Sequence, residues 1–485
     1  MSKERDDSYS HVLKYTGVFG GVQVLNVLVG LVRNKFVAML LGPGGMGLVS
    51  LFNTTVQLLS QATNLGVATS AVRHISEYYD AGDEVQTVHY VKVVRGWCLL
   101  TALLGMLVCV VLGPFLNHAT FSWGDHTLHF VLLAPAIGML AITGGETAIL
   151  KGTRQLGALA VVQIMAALAS LAIAIPIYYM FNQTGIVPVI VLMAFVTMCA
   201  TLWFSQRVFP WRLRGAKGVL GEGMEMVRLG VAFTLAGIVG SGAEMFVRSY
   251  LNVVGNLDML GLYNAGYMLT ITYAGMVFSA MESDYYPRLS SVNHDVLATN
   301  QVVNRQMEVS LLIVAPMLTV LIVLLPILIP QLLTSEFLPV VPMAQVAALA
   351  MFFKVLTMPV AYITLARGLA VTYLMLETVY FLVFVVLVVL GYQLWGLLGT
   401  GVAITLAHVF DYLMINVYAY KKYGYRMSAA VSRYAVVLFS LGFLAYACTI
   451  LLDGIAYWIV ELVVVLASCL YMVQNLKSSS TSTKL

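Results

Sequence analysis

The chain has 485 residues, of which 60% are hydrophobic and only 10% charged, with a formal net charge of +4. A soluble globular protein carries about 25% charged and about 45–50% apolar residues, so this composition excludes a soluble enzyme, a disordered chain and a nucleic-acid module. The apolar runs are long and continuous, which points to an all-α polytopic membrane protein and excludes a barrel of short alternating strands.

A spanning helix needs about 20 apolar residues, so this length allows about 14 spans with short loops. In chain order they are expected at 14–41, 46–76, 88–113, 127–150, 155–181, 184–206, 226–253, 259–286, 306–329, 337–366, 372–391, 394–419, 431–452 and 455–474. The polar residues 1–10 and the length of the first apolar segment argue against a cleavable signal. Span one carries Gln23, Asn26, Gly30 and Arg33 on one helical face, with Lys35 turned about 200° away from it. Span two carries Asn53, Gln57, Gln61 and Asn64 at helical spacing. Cys98, Cys109, Cys199, Cys448 and Cys469 all lie in apolar stretches without metal-ligand spacing and are expected to act as small hydrophobes. Between spans six and seven lies a basic stretch, 207–225, expected to be a solvated linker. Span seven carries Thr234, Gly237, Ser241, Glu244, Arg248 and Asn252 on one face. Span ten holds Lys354 near its middle, and span twelve holds His408 and Asp411 three residues apart.

Charge orients the spans. The termini, the connections after even-numbered spans and their flanking helix ends hold Lys3, Arg5, Arg73, Lys92, Arg95, Lys151, Arg154, Arg207, Arg212, Arg214, Lys217, Arg228, Arg288, Arg305, Arg367, Lys421, Lys422, Arg426, Arg433 and Lys477. The connections after odd-numbered spans hold no Lys or Arg, only His118, Asp125, His126, Asp258, Glu336 and Asp453. Cytoplasmic loops carry the excess of Lys and Arg, so both termini are expected in the cytoplasm of a cell with a plasma (inner) membrane. Glu146, Glu282, Asp284 and Glu377 lie near cytoplasmic span ends, where they are expected to pair with basic neighbours.

The chain resembles itself at an offset of about 215 residues. Leu41-Gly42-Pro43 through Met46-Gly47-Leu48 opens span two, and Gly255 through Leu260-Gly261-Leu262-Tyr263 opens span eight. Lys151-Gly152 ends span four, and Arg367-Gly368 ends span ten. The offset maps Arg33 onto Arg248 and Asn26 onto Ser241. A repeat with an even number of spans is parallel, and transporters place their substrate between such repeats. The expected organisation is an N-terminal lobe at 1–206, the linker at 207–225, a C-terminal lobe at 226–420, two further helices at 421–475 and a tail at 476–485.

Ionisable groups in lipid are costly and usually face a cavity or a partner. Arg33, Arg248 and Lys354 are therefore candidate contacts for an anionic substrate, and Asn26, Asn53, Gln57, Gln61 and Asn64 candidate walls of a hydrated path. Each cation has an alternative. Arg33 could snorkel to the outer interface, Arg248 could pair with Glu244 one turn earlier, and Lys354 could make an interhelix pair. Glu244, Asp411 and His408 are candidates for proton or ion coupling, or for structural pairs. The sequence has no phosphate-binding loop, no zinc-protease motif and no long outer loop for catalysis, so no cofactor, no metal and no enzyme chemistry is expected.

Asn34-Lys35-Phe36 through Leu41-Gly42-Pro43-Gly44-Gly45-Met46-Gly47-Leu48 resembles the opening of the Wzx-type polysaccharide flippases. Asn64-Leu65-Gly66-Val67 to Val72-Arg73, Tyr285-Tyr286-Pro287-Arg288-Leu289-Ser290, Thr334-Ser335-Glu336-Phe337 and Phe353-Lys354-Val355 resemble later segments of that family in the same order. These flippases belong to the multidrug/oligosaccharidyl-lipid/polysaccharide exporter superfamily. The resemblance implies a 14-helix transporter that moves an undecaprenyl-diphosphate-linked oligosaccharide, such as an O-antigen repeat unit, from the inner to the outer leaflet. It implies membrane lipid, a polysaccharide polymerase and chain-length machinery as partners, and no nucleic acid. The rival readings are a multidrug exporter of the same superfamily, a lipid II flippase, and a polysaccharide polymerase or ligase.

Overall fold

The computed structural model describes residues 2–482 except 122–123, 211–220 and 222. Side chains are described from 21 to 476, leaving out those residues and 69, 225–226, 228–233, 279–280 and 282–284. Most of the expected linker, with Arg212, Arg214 and Lys217, therefore lies outside the described residues. So do the side chains of Lys3, Arg5, Arg228, Glu282, Asp284 and Lys477.

The described chain is helical nearly throughout, and no strand occurs among the described residues. In order, the helices are α1 (Ser2–Asn64), α2 (Val67–Asp80), α3 (Glu84–Thr120), α4 (Thr127–Gly152), α5 (Leu156–Phe181), α6 (Ile186–Val208) and α7 (Met224–Tyr250). They continue as α8 (Leu257–Tyr267), α9 (Tyr273–Ser291), α10 (Val296–Leu332), α11 (Val341–Ala366), α12 (Ala370–Tyr423), α13 (Ala429–Leu451) and α14 (Gly454–Ser482). π-turns at Leu251–Gly255 and Met268–Thr272 interrupt the region of α7 to α9. Nine described stretches are long and apolar enough to cross a membrane, and three of them, Gly21–Asn64, Leu156–Val208 and Ala370–Tyr423, contain an internal break. The protein is a multi-pass membrane protein.

The breaks have local causes. Gly42 takes φ 65°, a left-handed value that favours glycine, and Pro43 opens the next helix, where its missing N–H costs nothing. Gly396 at φ 57° divides α12 in the same way. One break differs from expectation. The segment 46–76 is not one span: Leu65 and Gly66 both have positive φ and end α1 at Asn64. α2 is then a separate amphipathic helix with Val67, Ala71 and Ile75 fully buried at a four-residue spacing. These pack with Val94, Trp97 and Ile149 in one apolar cluster, while Arg73 and Glu77 pair on the exposed face. Apolar count alone ran across this break because α2 is half apolar.

Burial is inverted relative to a soluble protein. On α14, Tyr457, Glu461, Val464 and Ser468 are buried, whereas Ile455, Ile459, Leu462, Val463 and Leu466 are exposed. Lipid is the solvent in which such a surface is stable. Polar side chains inside helices bond back to their own turn, as Thr54, Thr55 and Thr63 do to carbonyls four residues earlier.

The chain forms two compact units, Met1–Gly261 and Leu262–Leu485. Within the first unit, Gly47 packs against the Leu257 backbone and Gly261 against the Pro43 carbonyl. The two contacts run in opposite directions along their segments, as in an antiparallel crossing. They place Pro43 and Gly47 of α1 against Leu257–Gly261 of α8. In the second unit, α11 is central and largely buried. Gly391 and Gly399 face each other across the two halves of α12, an approach that only residues without a Cβ allow.

Candidate functional site

The polar stripe of span seven lies on α7 and meets the second half of α1. Arg248 Nε donates to Ser50 Oγ at 3.0 Å, and its Nη1 donates to Glu244 Oε2 at 2.9 Å and to the Glu244 carbonyl at 3.3 Å. The Arg248 side chain is 7% exposed and that of Glu244 31%. One turn or two away, Ser241 Oγ donates to Gln61 Oε1 at 2.8 Å. The pairing of Arg248 with Glu244 is thus present within α7, and Arg248 also reaches across to Ser50 of α1. Asn252, in the π-turn after α7, donates through Nδ2 to the Thr120 carbonyl of α3 at 2.7 Å.

Arg33 is in a different setting. It is exposed, as are Asn53 and Gln57, while Asn26, Gln61 and Asn64 are half-buried. Asn26 Nδ2 donates to Gln163 Oε1 of α5 at 3.5 Å, and Arg33 acts electrostatically on Tyr178 of the same helix. The polar face of span one therefore runs along α5, with its cation within electrostatic range of a phenol. The sequence pattern did not single out Gln163, a lone amide in an apolar helix, or Tyr178, one of two adjacent tyrosines near its end.

In the second unit Lys354, which the sequence left apart, comes near His408 and Asp411. Lys354 of α11 is half-buried and lies within electrostatic range of both His408 and Asp411 of α12. His408 and Asp411 are buried on the packed face of α12, with His408 Nδ1 2.9 Å from the Ile404 carbonyl and the Tyr380 ring 5.6 Å from the imidazole. Glu377, on the first half of α12, also acts on Asp411.

Two acidic sites lie elsewhere. Glu146 of α4 takes a bidentate pair from Arg95 of α3, Nε to Oε1 at 2.8 Å and Nη2 to Oε2 at 3.0 Å. Ser205 of α6 also donates to the same carboxylate. The pairing expected near this span end is thus made across helices. Glu461 of α14 was missed by the sequence reading: it is fully buried, and neither carboxyl oxygen has a hydrogen-bond partner among the described residues. Its signal was one acid in an otherwise apolar span.

A cation and amides exposed on apolar helices can hold an anionic headgroup and polar hydroxyls. An Arg suits bidentate phosphate contact and a Lys acts as a point charge.

A family model described as "Polysaccharide biosynthesis protein" matches residues 36–342. No curated protein matches the chain. Among solved structures, an inward-facing multidrug resistance MATE family transporter of the MOP superfamily is similar with a TM-score of 0.70 at 13% identity, covering 86% of this chain and 99% of that one. The lipid II flippase MurJ in an inward closed conformation is similar with a TM-score of 0.65 at 12% identity, covering 97% of this chain and all of that one (100%). An outward-facing MATE transporter of the same superfamily gives a TM-score of 0.61 at 13% identity, covering 87% and 96%. At these identities the likeness establishes the fold, while the family model covers residues 36–342, from just after the polar face of span one to the start of α11. The chain belongs to the polysaccharide biosynthesis protein family and carries the fold of MOP-superfamily transporters.

Proposed function

We propose that the protein is a flippase that moves an undecaprenyl-diphosphate-linked oligosaccharide from the inner to the outer leaflet of a bacterial plasma membrane by alternating access. Fourteen spans with both termini cytoplasmic, and residues 1–206 and 226–420 as the moving lobes, complete the reading. The observation that carries it is the exposed Arg33 on a polar helix face, beside exposed Asn53 and Gln57, in a chain of the polysaccharide biosynthesis family. A diphosphate needs cations inside an apolar protein, and those cations are costly unless used. Arg33, Lys354 and Arg248 are assigned to phosphate or acidic-sugar contact. Arg248 must first exchange its bond to Glu244. Asn26, Asn53, Gln57, Gln61 and Asn64 are assigned to sugar hydroxyls, and Glu244, Asp411 and His408 to ion coupling. A polysaccharide polymerase and chain-length machinery would act on the delivered unit.

The test is appearance of the lipid-linked glycan in the outer leaflet of spheroplasts. Loss of the protein should leave the unit on the cytoplasmic face. Arg33→Ala and Lys354→Ala should each slow its appearance at normal protein levels, and Arg33→Ala with Arg248→Ala should nearly stop it. Normal transport by that double variant would overturn the site assignment. Outer-leaflet accumulation in a deletion strain would point to a polymerase instead, and drug sensitivity without a glycan defect to a multidrug exporter.

A further inference from the structure

The second half of α12 carries a groove that the transport reading does not use. Leu376 from the first half and Phe410, Met414, Val417, Lys421 and Lys422 from the second line a groove of about 730 Å³. Its lining is apolar until the last turn, where two adjacent lysines close it. The lining residues of the second half recur every three or four positions, on a face distinct from the buried His408, Asp411, Ile415 and Ala419. Lys421 and Lys422 are exposed, and among the described residues neither is engaged in an ion pair.

Depth and charge identify the occupant. From Phe410 to Lys422 the helix rises about 18 Å at about 1.5 Å per residue, close to the roughly 15 Å hydrocarbon thickness of one leaflet. Tyr418 also lines the groove, with its ring 5.6 Å from that of Tyr423, over which the Arg367 guanidinium sits at 4.6 Å. Tyrosines and basic groups at one level mark the headgroup plane. The groove is thus one leaflet deep, apolar along its length and cationic at the headgroup plane. Basic pockets between helices at this level suit anionic lipid. We propose that it is a binding site for an anionic phospholipid, with one acyl chain along Phe410, Met414 and Val417 and the phosphate against Lys421 and Lys422.

The full-length protein, released from bilayer nanodiscs of phosphatidylethanolamine and phosphatidylglycerol in equal amounts, tests this by native mass spectrometry. The wild type should retain phosphatidylglycerol in preference to phosphatidylethanolamine. Lys421→Gln with Lys422→Gln should lower that retention about 25-fold, at about fivefold per surface lysine, and Lys421→Arg with Lys422→Arg should restore it. Met414→Trp, which fills the groove and leaves both lysines, should also lose the lipid. Equal retention of the two lipids, or unchanged retention after loss of both lysines, would overturn the proposal. So would displacement of phosphatidylglycerol by equimolar polyprenyl diphosphate, which would make the groove part of the substrate path. Transport is not read in this experiment, so failure of the flippase reading leaves its outcome unchanged.

Discussion

The buried pair of Arg95 and Glu146 gives a sharp test of what holds the first unit together. Its side chains are only 4% and 2% exposed, and the guanidinium faces the carboxylate through two parallel bonds. Ser205 ties the same carboxylate to a third helix. Removing one partner from such a pair leaves a buried charge without compensation and costs about 3–5 kcal/mol. Arg95→Met keeps most of the packing of the arginine stem and should fall in that range, because the Ser205 hydroxyl alone cannot balance a carboxylate. Glu146→Gln leaves the guanidinium unbalanced and should cost a similar amount. Replacing both, Arg95→Met with Glu146→Leu, removes the charges together and should bring stability back to within about 1 kcal/mol of wild type. The assay is equilibrium unfolding in detergent micelles, followed by far-ultraviolet circular dichroism and by exposure of buried thiols. Cys98 reports locally, since it packs in the apolar cluster beside Gly145. An Arg95→Met protein within about 1 kcal/mol of wild type, or a double variant as unstable as the single ones, would refute the reasoning.

Three further outcomes are expected. Gly261→Ala should destabilise by about 1–3 kcal/mol through overpacking against the Pro43 carbonyl, whereas Gly157→Ala, with nothing within 4 Å of the new Cβ, should not destabilise; thermal unfolding in detergent compares them. Glu461→Leu should raise stability by about 1–3 kcal/mol in the same assay, since both carboxyl oxygens are buried without a partner. In the loop before α4, hydrogen bonds from the Thr127 side chain and backbone hold Asp125 below the usual carboxylate range. That carboxylate supports the start of α4 above its unfolded value and loses the effect as pH falls through its lower folded value. Acid should therefore loosen the Thr127 amide in hydrogen exchange in the wild type, and Asp125→Asn should remove the dependence.

Much of the architecture was legible in the chain, for reasons that can be named. In lipid every backbone group must be satisfied within its own segment, so long apolar runs had to be helices. Gly42-Pro43 marked a helix break because one residue tolerates positive φ and the next cannot donate. The Leu65-Gly66 break was not legible, because α2 continues the apolar count and a non-glycine takes the first positive φ there. The candidate site was legible in part. The stripes of spans two and seven meet where Ser241 bonds Gln61, a pairing that their spacing alone did not specify. The different settings of the two arginines were not legible: Arg33 is exposed, whereas Arg248 is braced by Glu244 and Ser50.

The sequence alone determined that this is a helical membrane protein with cations in unusual places, since hydropathy, helix periodicity and backbone satisfaction act over a few neighbouring residues. Only the tertiary structure decided partners. Arg95 meets Glu146 across 51 residues, and Lys354, His408 and Asp411 gather from two helices. Glu461 is left with no partner among the described residues. A charge in lipid has to find compensation in three dimensions, and the distance along the chain at which it finds it is not encoded in any local pattern.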